Sequence, residues 1–273
     1  MKIKQLVKRS TLMVSVLLAV ALALTGCSGG ITITEAGSTT VQPLAQDLAD
    51  AYMAIDDTVA ITVAGGGSSV GVASAADGTV DIGAASRELK PSEEGLGLVK
   101  HHIASDGIAI VAHPSQNVTG LTTEEVRNIF SGNITNWAEV GGGNATIVVI
   151  AREEGSGTRA AFEELVMEDE VITDDAILFP SNGAVRTAVA GDEDSIGFLS
   201  FGYIDETVRV FDIDGVEATV ENAISGDYPV VRPLYFLTLG EPTGKVADFI
   251  DFCLCPDGQA IVAEDYIPTG PTS

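Results

Sequence analysis

The chain contains three copies of one local pattern, in which a short strand leads into a turn of glycine, serine and threonine and then into a helix. The three turns lie at 36–43, 64–71 and 152–159. A helix that begins at such a turn presents free N–H groups, and glycine allows a close approach to its backbone. Three such turns in one chain indicate that several helix N-termini meet at one negatively charged ligand.

The third turn carries the clearest chemistry. Arg152 supplies a planar fork of N–H groups suited to an oxyanion, while Ser156 and Thr158 add hydroxyl donors on either side of Gly157. A serine or threonine ahead of a helix is often only an N-cap, and each turn taken alone leaves that interpretation open. The repetition of the pattern favours an anion site over three independent caps.

The N-terminal segment has the features of a secretory leader. Basic residues precede an apolar run over 12–24, which ends in the sequence Leu24-Thr25-Gly26-Cys27. This pattern predicts a lipoprotein signal peptide over 1–27 with Cys27 as the lipidated first residue of the mature chain. An uncleaved membrane helix is the weaker alternative, because the run is shorter than the roughly 20 residues that span a bilayer. We therefore expect a protein anchored by lipid on the outer face of the cytoplasmic membrane.

The composition is strongly acidic. The chain has 39 acidic and 14 basic residues, a formal charge of −25. Four of the basic residues and none of the acidic ones precede Cys27, so the mature chain carries −29. This charge excludes nucleic acid as a partner. Salt screens surface charge beyond about 8 Å, so local donors in a buried site still prevail for a small anion.

Few residues suit catalysis or metal binding. Two cysteines follow Cys27, namely Cys253 and Cys255, and their spacing in an apolar segment favours small core residues over a disulfide or a metal site. The three histidines have no clear acid partner in the sequence, and no P-loop is present. We predict no cofactor, no metal and no enzymatic activity.

The alternation of strands and helices after the leader predicts an α/β fold of two lobes with mixed, mainly parallel sheets. Two strands that end in or contain proline, at 108–114 and 230–236, are the candidates to cross between the lobes as hinges. The expected boundaries place 28–112 and 234–273 in lobe 1 and 113–233 in lobe 2. A ligand cleft would then lie between the lobes.

Several segments occur in a characteristic order and spacing: 37–44, 65–69, 81–89, 104–109, 129–137, 152–158, 196–200 and 258–260. By these segments the chain, from residue 31 onward, resembles the phosphate-binding lipoproteins of ABC-type phosphate importers. It implies a periplasmic-binding-protein fold that closes over inorganic phosphate and a monomer that delivers it to a membrane permease and its ATPase subunits. Receptors for sulfate, molybdate or tungstate, and sensing or adhesion proteins of the same fold, are the alternatives.

The resemblance also implies a set of phosphate contacts. These fall on Thr39, Thr40, Ser68, Arg152, Ser156, Gly157 and Thr158, with Ser38, Ser69 and Ser86 as further candidates. Some members of the family carry an acid after the serine that corresponds to Ser86, where this chain has Arg87. We therefore expect Arg87 to donate to the ligand and Asp106 to accept the proton of hydrogen phosphate. Capping of the turn before Gly107 is the alternative role of Asp106.

Overall fold

The computed structural model describes residues 30–270. The predicted leader and Cys27 lie outside the described residues. Within residues 30–270, none of the helices combines the length and the apolar character needed to span a bilayer.

The strands and helices of residues 30–270 alternate along the chain as predicted. The strands are β1 (Ile31–Gly37), β2 (Val59–Ala64), β3 (Ile82–Ala85), β4 (Leu98–Ala112), β5 (Gly120–Leu121), β6 (Val148–Arg152), β7 (Ile177–Phe179), β8 (Ser195–Ser200), β9 (Arg209–Val210), β10 (Asp212–Ile213), β11 (Val231–Leu239) and β12 (Ile267–Pro268). The helices are α1 (Val41–Ile55), α2 (Ser68–Ala76), α3 (Thr123–Phe130), α4 (Gly157–Phe162), α5 (Asn182–Ala190), α6 (Val220–Ser225), α7 (Gly244–Leu254) and α8 (Pro256–Asp265). A π-helical turn, Glu163–Met167, continues α4.

The main sheet is mixed and runs through the whole molecule in the order β2-β1-β3-β11-β4-β8-β6-β7. The pairings at its two ends are parallel, as βαβ units require. Those in the middle, which join β11 to β3 and β4 and join β4 to β8, are antiparallel. The predicted α/β class and mixed sheet are confirmed.

The buried apolar side chains form three clusters along this sheet. Two of them, built from residues 33–104 and 234–266, lie on opposite faces of one half of the sheet, and we call them together the first core. The second core is built from residues 108–231 of the other half. Strand β4 contributes Ala104 to the first core and Ile108 to the second, and β11 passes between the cores beside it. The two crossing strands therefore form one hydrogen-bonded ribbon.

Strand β4 begins ten residues before the crossing strand predicted at 108–114. Its first half contains Lys100, His101 and His102, and these polar residues lack the run of apolar, β-branched residues by which a strand is recognised in the sequence. Pairing with β11, from Leu98 opposite Leu239 to Gly107 opposite Val231, holds this half in the sheet. Strand β4 passes from the first core to the second between Ala104 and Ile108, whereas the boundary predicted between the lobes lies at residue 112.

Local sequence signals explain several of the observed element ends. Helix α3 starts with Thr122 as its N-cap, and Glu125 completes the capping box. Trp137 is fully buried in the second core. Cys253 is buried in α7, while Cys255 is partly exposed, and both are free thiols.

Candidate functional site

The three predicted turns meet at the boundary between the two cores. The Ser38 hydroxyl of the first turn donates to the Ser86 hydroxyl at 2.8 Å, and the hydroxyls of Ser68 and Ser86 lie 3.3 Å apart. Thr40 lies 3.1 Å from Thr158 of the third turn. A buried set of polar side chains results, which we call the polar cluster: Ser38, Thr39, Thr40, Ser68, Ser86, Arg152, Thr158, Asn182 and Arg232.

Two glycines allow this convergence. Gly37 has φ +147°, and a Cβ at this position would overlap the backbone of Ala84. The chain can therefore leave β1 tightly and begin α1 at the cluster. A Cβ on Gly157 would overlap the hydroxyl oxygens of Ser68 and Ser86. Only glycine lets the third turn lie against the other two.

Arg152 enters the cluster from the end of β6. Its Nη2 donates to Thr39 at 3.2 Å and to the Pro180 carbonyl at 2.9 Å, and its Nε donates to the Phe179 carbonyl at 3.2 Å. Burial and the nearby charge of Arg232 lower the pKa of Arg152 to about 10, so it stays protonated at neutral pH. Among the described residues no carboxylate forms an ion pair with it. A buried cation without an acid partner calls for an anionic ligand.

Arg232 is a second buried arginine of the cluster, which sequence reasoning missed. It lies on β11 where the strand crosses between the cores, directly opposite Asp106 on β4. Its Nη2 donates to Thr40 and to Asp106, at 2.9 and 2.8 Å, and its Nη1 lies 3.4 Å from the Ser86 hydroxyl. Burial lowers the pKa of Arg232, while the carboxylate of Asp106 opposes that shift.

Asp106 is fully buried, but its contacts differ from those expected of an acceptor for a ligand proton. One carboxylate oxygen accepts from Nε and Nη2 of Arg232, and the other accepts from the Ser200 hydroxyl at 2.9 Å and the Phe201 amide at 3.2 Å. These four donors fill the acceptor sites of a carboxylate. Burial raises the pKa of Asp106, and Arg232 acts against this shift. The geometry makes Asp106 a residue that positions Arg232.

Asn182, at the start of α5, is the other member of the cluster that sequence reasoning missed. Its Nδ2 donates to Thr40 at 2.9 Å, and its Oδ1 accepts from the Ser200 amide at 3.3 Å. The residue follows no glycine-rich turn, so the sequence gives no signal of its role. Tyr203 also reaches the cluster, where its hydroxyl donates to the Thr39 carbonyl at 2.7 Å.

Three of the predicted contact residues lie at the edge of the cluster or serve its structure. The Ser156 hydroxyl caps α4 by accepting from the Arg159 amide at 3.2 Å. Ser69 accepts from Arg87 through its hydroxyl, at 3.2 Å, and its amide donates to the Gly155 carbonyl at 3.1 Å. Arg87 is paired with Glu93 at 2.7 Å. No described contact joins Arg87 to the polar cluster, so the expectation that it donates to a ligand there has no support in the geometry.

The charges of the buried site favour an anion. Arg152 and Arg232 bring two positive charges and Asp106 brings one negative charge. The hydroxyls and amides around them can all donate hydrogen bonds. This excess of positive charge and of donors suits a small oxyanion, because charge-assisted hydrogen bonds offset the free-energy cost of removing its water.

The histidines lie away from the cluster. His101, His102 and His113 contact Thr238, Ser105 and Ser115 respectively. Within residues 30–270 none of them contacts Ser156, the serine that a nucleophilic mechanism would need activated. No group of three or more metal-ligating side chains occurs among those residues.

The sequence and the fold agree with known binding proteins. A family model described as a PBP superfamily domain matches residues 25–257. The phosphate-binding protein PstS of Bacillus subtilis (strain 168) is 34% identical over 250 residues, which cover 88% of this chain and 81% of that protein. The chain belongs to the PBP superfamily and, within it, to the family of PstS phosphate-binding proteins.

Solved structures give the same result. A substrate-binding protein from Clostridium perfringens, solved with bound phosphate, is 39% identical and superimposes with a TM-score of 0.85 over 88% of this chain and 100% of that one. An ABC-type phosphate transport receptor from Vibrio cholerae is 33% identical, with a TM-score of 0.72 over 86% of this chain and 99% of the other. The periplasmic-binding-protein fold expected from the resemblance is confirmed.

Proposed function

We propose that this protein captures inorganic phosphate outside the cytoplasm and delivers it to the permease of an ABC importer. The observation that carries the proposal is the buried pair Arg152 and Arg232, which adds up to more positive charge than Asp106 balances and is surrounded by hydroxyl donors. Membership of the PstS family supports phosphate as the anion. The role is that of a receptor, and energy for transport would come from the ATPase subunits.

Calorimetric titration with phosphate, sulfate and molybdate, after removal of any bound anion by partial unfolding, tests the proposal. We expect 1:1 binding of phosphate at least about a hundredfold tighter than that of sulfate, a difference of about 2.7 kcal/mol. Equal or tighter binding of sulfate or molybdate would favour a receptor for a fully ionised oxyanion. The four donors on Asp106 favour that second candidate, since they leave no buried acid in the cluster free to accept a ligand proton.

We infer further that the ligand is bound by closure of two lobes. The predicted lobes comprise 28–112 with 234–273 and 113–233, and the change of core in β4 favours a hinge near 105–107. Contacts across the boundary support a closed form, for example the 3.1 Å separation of Thr40 and Thr158 and the bond from Ser69 to Gly155. Small-angle scattering should show a smaller radius of gyration with phosphate than without it.

We also propose that Cys27 carries a lipid that holds a monomeric receptor on the outer face of the cytoplasmic membrane. The lipobox pattern ending at Cys27 supports the anchor. Mass spectrometry of the mature protein should find a lipid-modified N-terminal cysteine, and an unmodified Met1 would contradict the proposal.

Gly157→Ala is expected to impair phosphate binding more than folding. The added Cβ would overlap Ser68 and Ser86 only when the third turn lies against the other two, so it opposes closure. Overpacking of this kind costs about 1 to 3 kcal/mol, roughly a five- to 150-fold loss of affinity. Gly143→Ala is the control, because a Cβ there meets open space. Equal affinities of the two variants would show that the closed contact is not required.

Asp106→Asn separates the two roles considered for this residue. If Asp106 positions Arg232, the substitution should lower the free energy of unfolding by about 1.5 to 3 kcal/mol, the value of a hydrogen bond to a charged group. The ratio of phosphate to sulfate affinity should then change by less than about threefold. Urea unfolding and parallel titrations measure both quantities. A loss of selectivity greater than tenfold would restore Asp106 as the acceptor of the phosphate proton.

A further inference from the structure

A cavity of about 510 Å³ lies outside the polar cluster, at the seam between the two halves of the molecule. Residues near the first core line one side of it, including Ser69, Arg87 and Lys90, and Arg159 with its neighbours lines the other. Gly155 and Ser156 belong to its wall, and the next residue, Gly157, lies against Ser68 and Ser86 of the cluster. The cavity is therefore the space immediately outside the buried site.

The wall of the cavity is rich in basic residues in a protein that has few of them. Residues 30–270 contain ten lysines and arginines, and three of them, Arg87, Lys90 and Arg159, line this one cavity. The buried site behind it holds two more, Arg152 and Arg232. Half of the described basic residues thus belong to the cavity wall or to the polar cluster.

Among the described residues, Arg87 and Arg159 form ion pairs with neighbouring glutamates, whereas Lys90 does not. Glu93 pairs with Arg87 and Glu163 pairs with Arg159, each at 2.7 Å, and exposed Glu154 also lines the wall. Lys90 forms no ion pair among the described residues, and its side chain is exposed. Arg87 is almost fully buried, at 4% exposure, and its Nε–H has no hydrogen-bond partner among the described residues. The three acids balance the three cations in number, so the wall has no net positive charge; what it offers an anion is the ammonium of Lys90 and the Nε–H of Arg87, both unpaired among the described residues.

We propose that this cavity is an outer anion site, which receives inorganic phosphate weakly at the mouth of the cleft before it enters the polar cluster. The inference rests on the proposed function and deepens it. A chain with a formal charge of −29 after Cys27 repels a phosphate dianion at long range. Salt screens the distant acids beyond about 8 Å, so an incoming phosphate meets the Lys90 ammonium and the Nε–H of Arg87 at short range, and a cation at the mouth of a cleft raises the association rate. Arg87, expected to touch the ligand in the final complex, acts here on the incoming ligand.

The test is the rate of phosphate association, measured by stopped-flow fluorescence. The purified protein would carry an environment-sensitive dye on a cysteine introduced at the cleft rim, outside the cavity. Lys90→Glu should lower the association rate constant about threefold or more at low ionic strength, because it reverses the free charge at the mouth. The difference should vanish near 0.5 M salt, and the dissociation rate constant should stay within twofold of the wild-type value. Lys90→Gln should show a smaller effect of the same kind.

Lys100→Gln provides the matched control. Lys100 lies on β4 in the same half of the molecule, is paired with Glu88 at 2.6 Å and does not line the cavity. Its substitution should leave the association rate constant within about 1.5-fold of wild type. Unchanged association in Lys90→Glu, or a loss that is equal at low and high salt, would overturn the outer site. Absence of phosphate binding by the wild-type protein would instead refute the proposed function, so the two failures are distinguishable.

Discussion

Arg152→Ala should weaken phosphate binding by on the order of 2 to 5 kcal/mol, which is roughly a thirty- to several-thousand-fold loss of affinity. The guanidinium is 2% exposed, stays charged at neutral pH and has no carboxylate partner among the described residues. A bound anion would therefore be its counter-charge. The substitution also removes the hydrogen bonds from Arg152 to Thr39, Phe179 and Pro180, so the free energy of unfolding of the variant should be measured beside its affinity.

Arg127→Ala is a suitable control for that measurement. Arg127 lies in the same half of the molecule on α3, pairs with exposed Glu168 at 2.7 Å and donates to the Val166 carbonyl. Titration calorimetry should find its phosphate affinity within about twofold of wild type, since it lies outside the polar cluster. If Arg152→Ala bound phosphate as tightly as Arg127→Ala, the polar cluster would not be the phosphate site.

The second large expected effect is a pH dependence of the free energy of unfolding, which arises from Glu35. The side chain is 2% exposed on β1, two residues before Gly37, and neither carboxylate oxygen has a hydrogen-bond partner among the described residues. Burial raises the pKa of Glu35 from 4.5 to about 8. The folded protein therefore holds a proton that the unfolded chain releases above pH 4.5.

The sign of the pH dependence follows from this difference. Stability from the protonated acid is fully present below pH 4.5 and is lost as the pH rises toward about 8. The free energy of unfolding should fall by up to about 1.4 kcal/mol per pH unit within that window, a few kcal/mol in all. Glu35→Gln should abolish this fall and exceed the wild type in stability at pH 8.

Urea unfolding between pH 5 and pH 9 checks this prediction. Glu264→Gln is the matched control, since it removes a negative charge from an exposed position of α8 in the same half of the molecule. The control should reproduce the wild-type slope, which separates the buried acid from the general repulsion among the 39 acidic residues. Parallel curves for wild type and Glu35→Gln would contradict a buried, protonated Glu35.

The sequence was sufficient for the parts of the site that depend on local chemistry. Glycine-rich turns, such as the one that contains Ser156 and Gly157, have a pattern that can be read without the fold. Strand–turn–helix order also gave the α/β class. The turns after β1 and β2 come together because these parallel strands present their carboxyl ends at one edge of the sheet. The third turn follows β6, which runs in the opposite direction, so it faces the first two turns from the other half of the sheet.

The remaining parts depend on contacts between distant segments. Arg232 meets Asp106, 126 positions earlier, because two long strands cross side by side. Neither residue follows a turn motif, so its partner could not be inferred from spacing. The same limitation explains Asn182. It does not explain Arg87, whose partner Glu93 is only six positions away; that pair depends on how the chain turns between the two residues.

The two cores differ in the number of chain segments that build them, and this difference affects the order in which they fold. The buried side chains of the second core come from one uninterrupted stretch, 108–230, whereas those of the first join 33–104 to 234–266. In a chain that emerges from its N-terminus, these side chains of the second core are all present while the first core still waits for β11 and the last helices. Because the polar cluster takes Arg232 from β11 and its serines from the half that holds the first core, the anion site cannot be complete before β11 has joined that half.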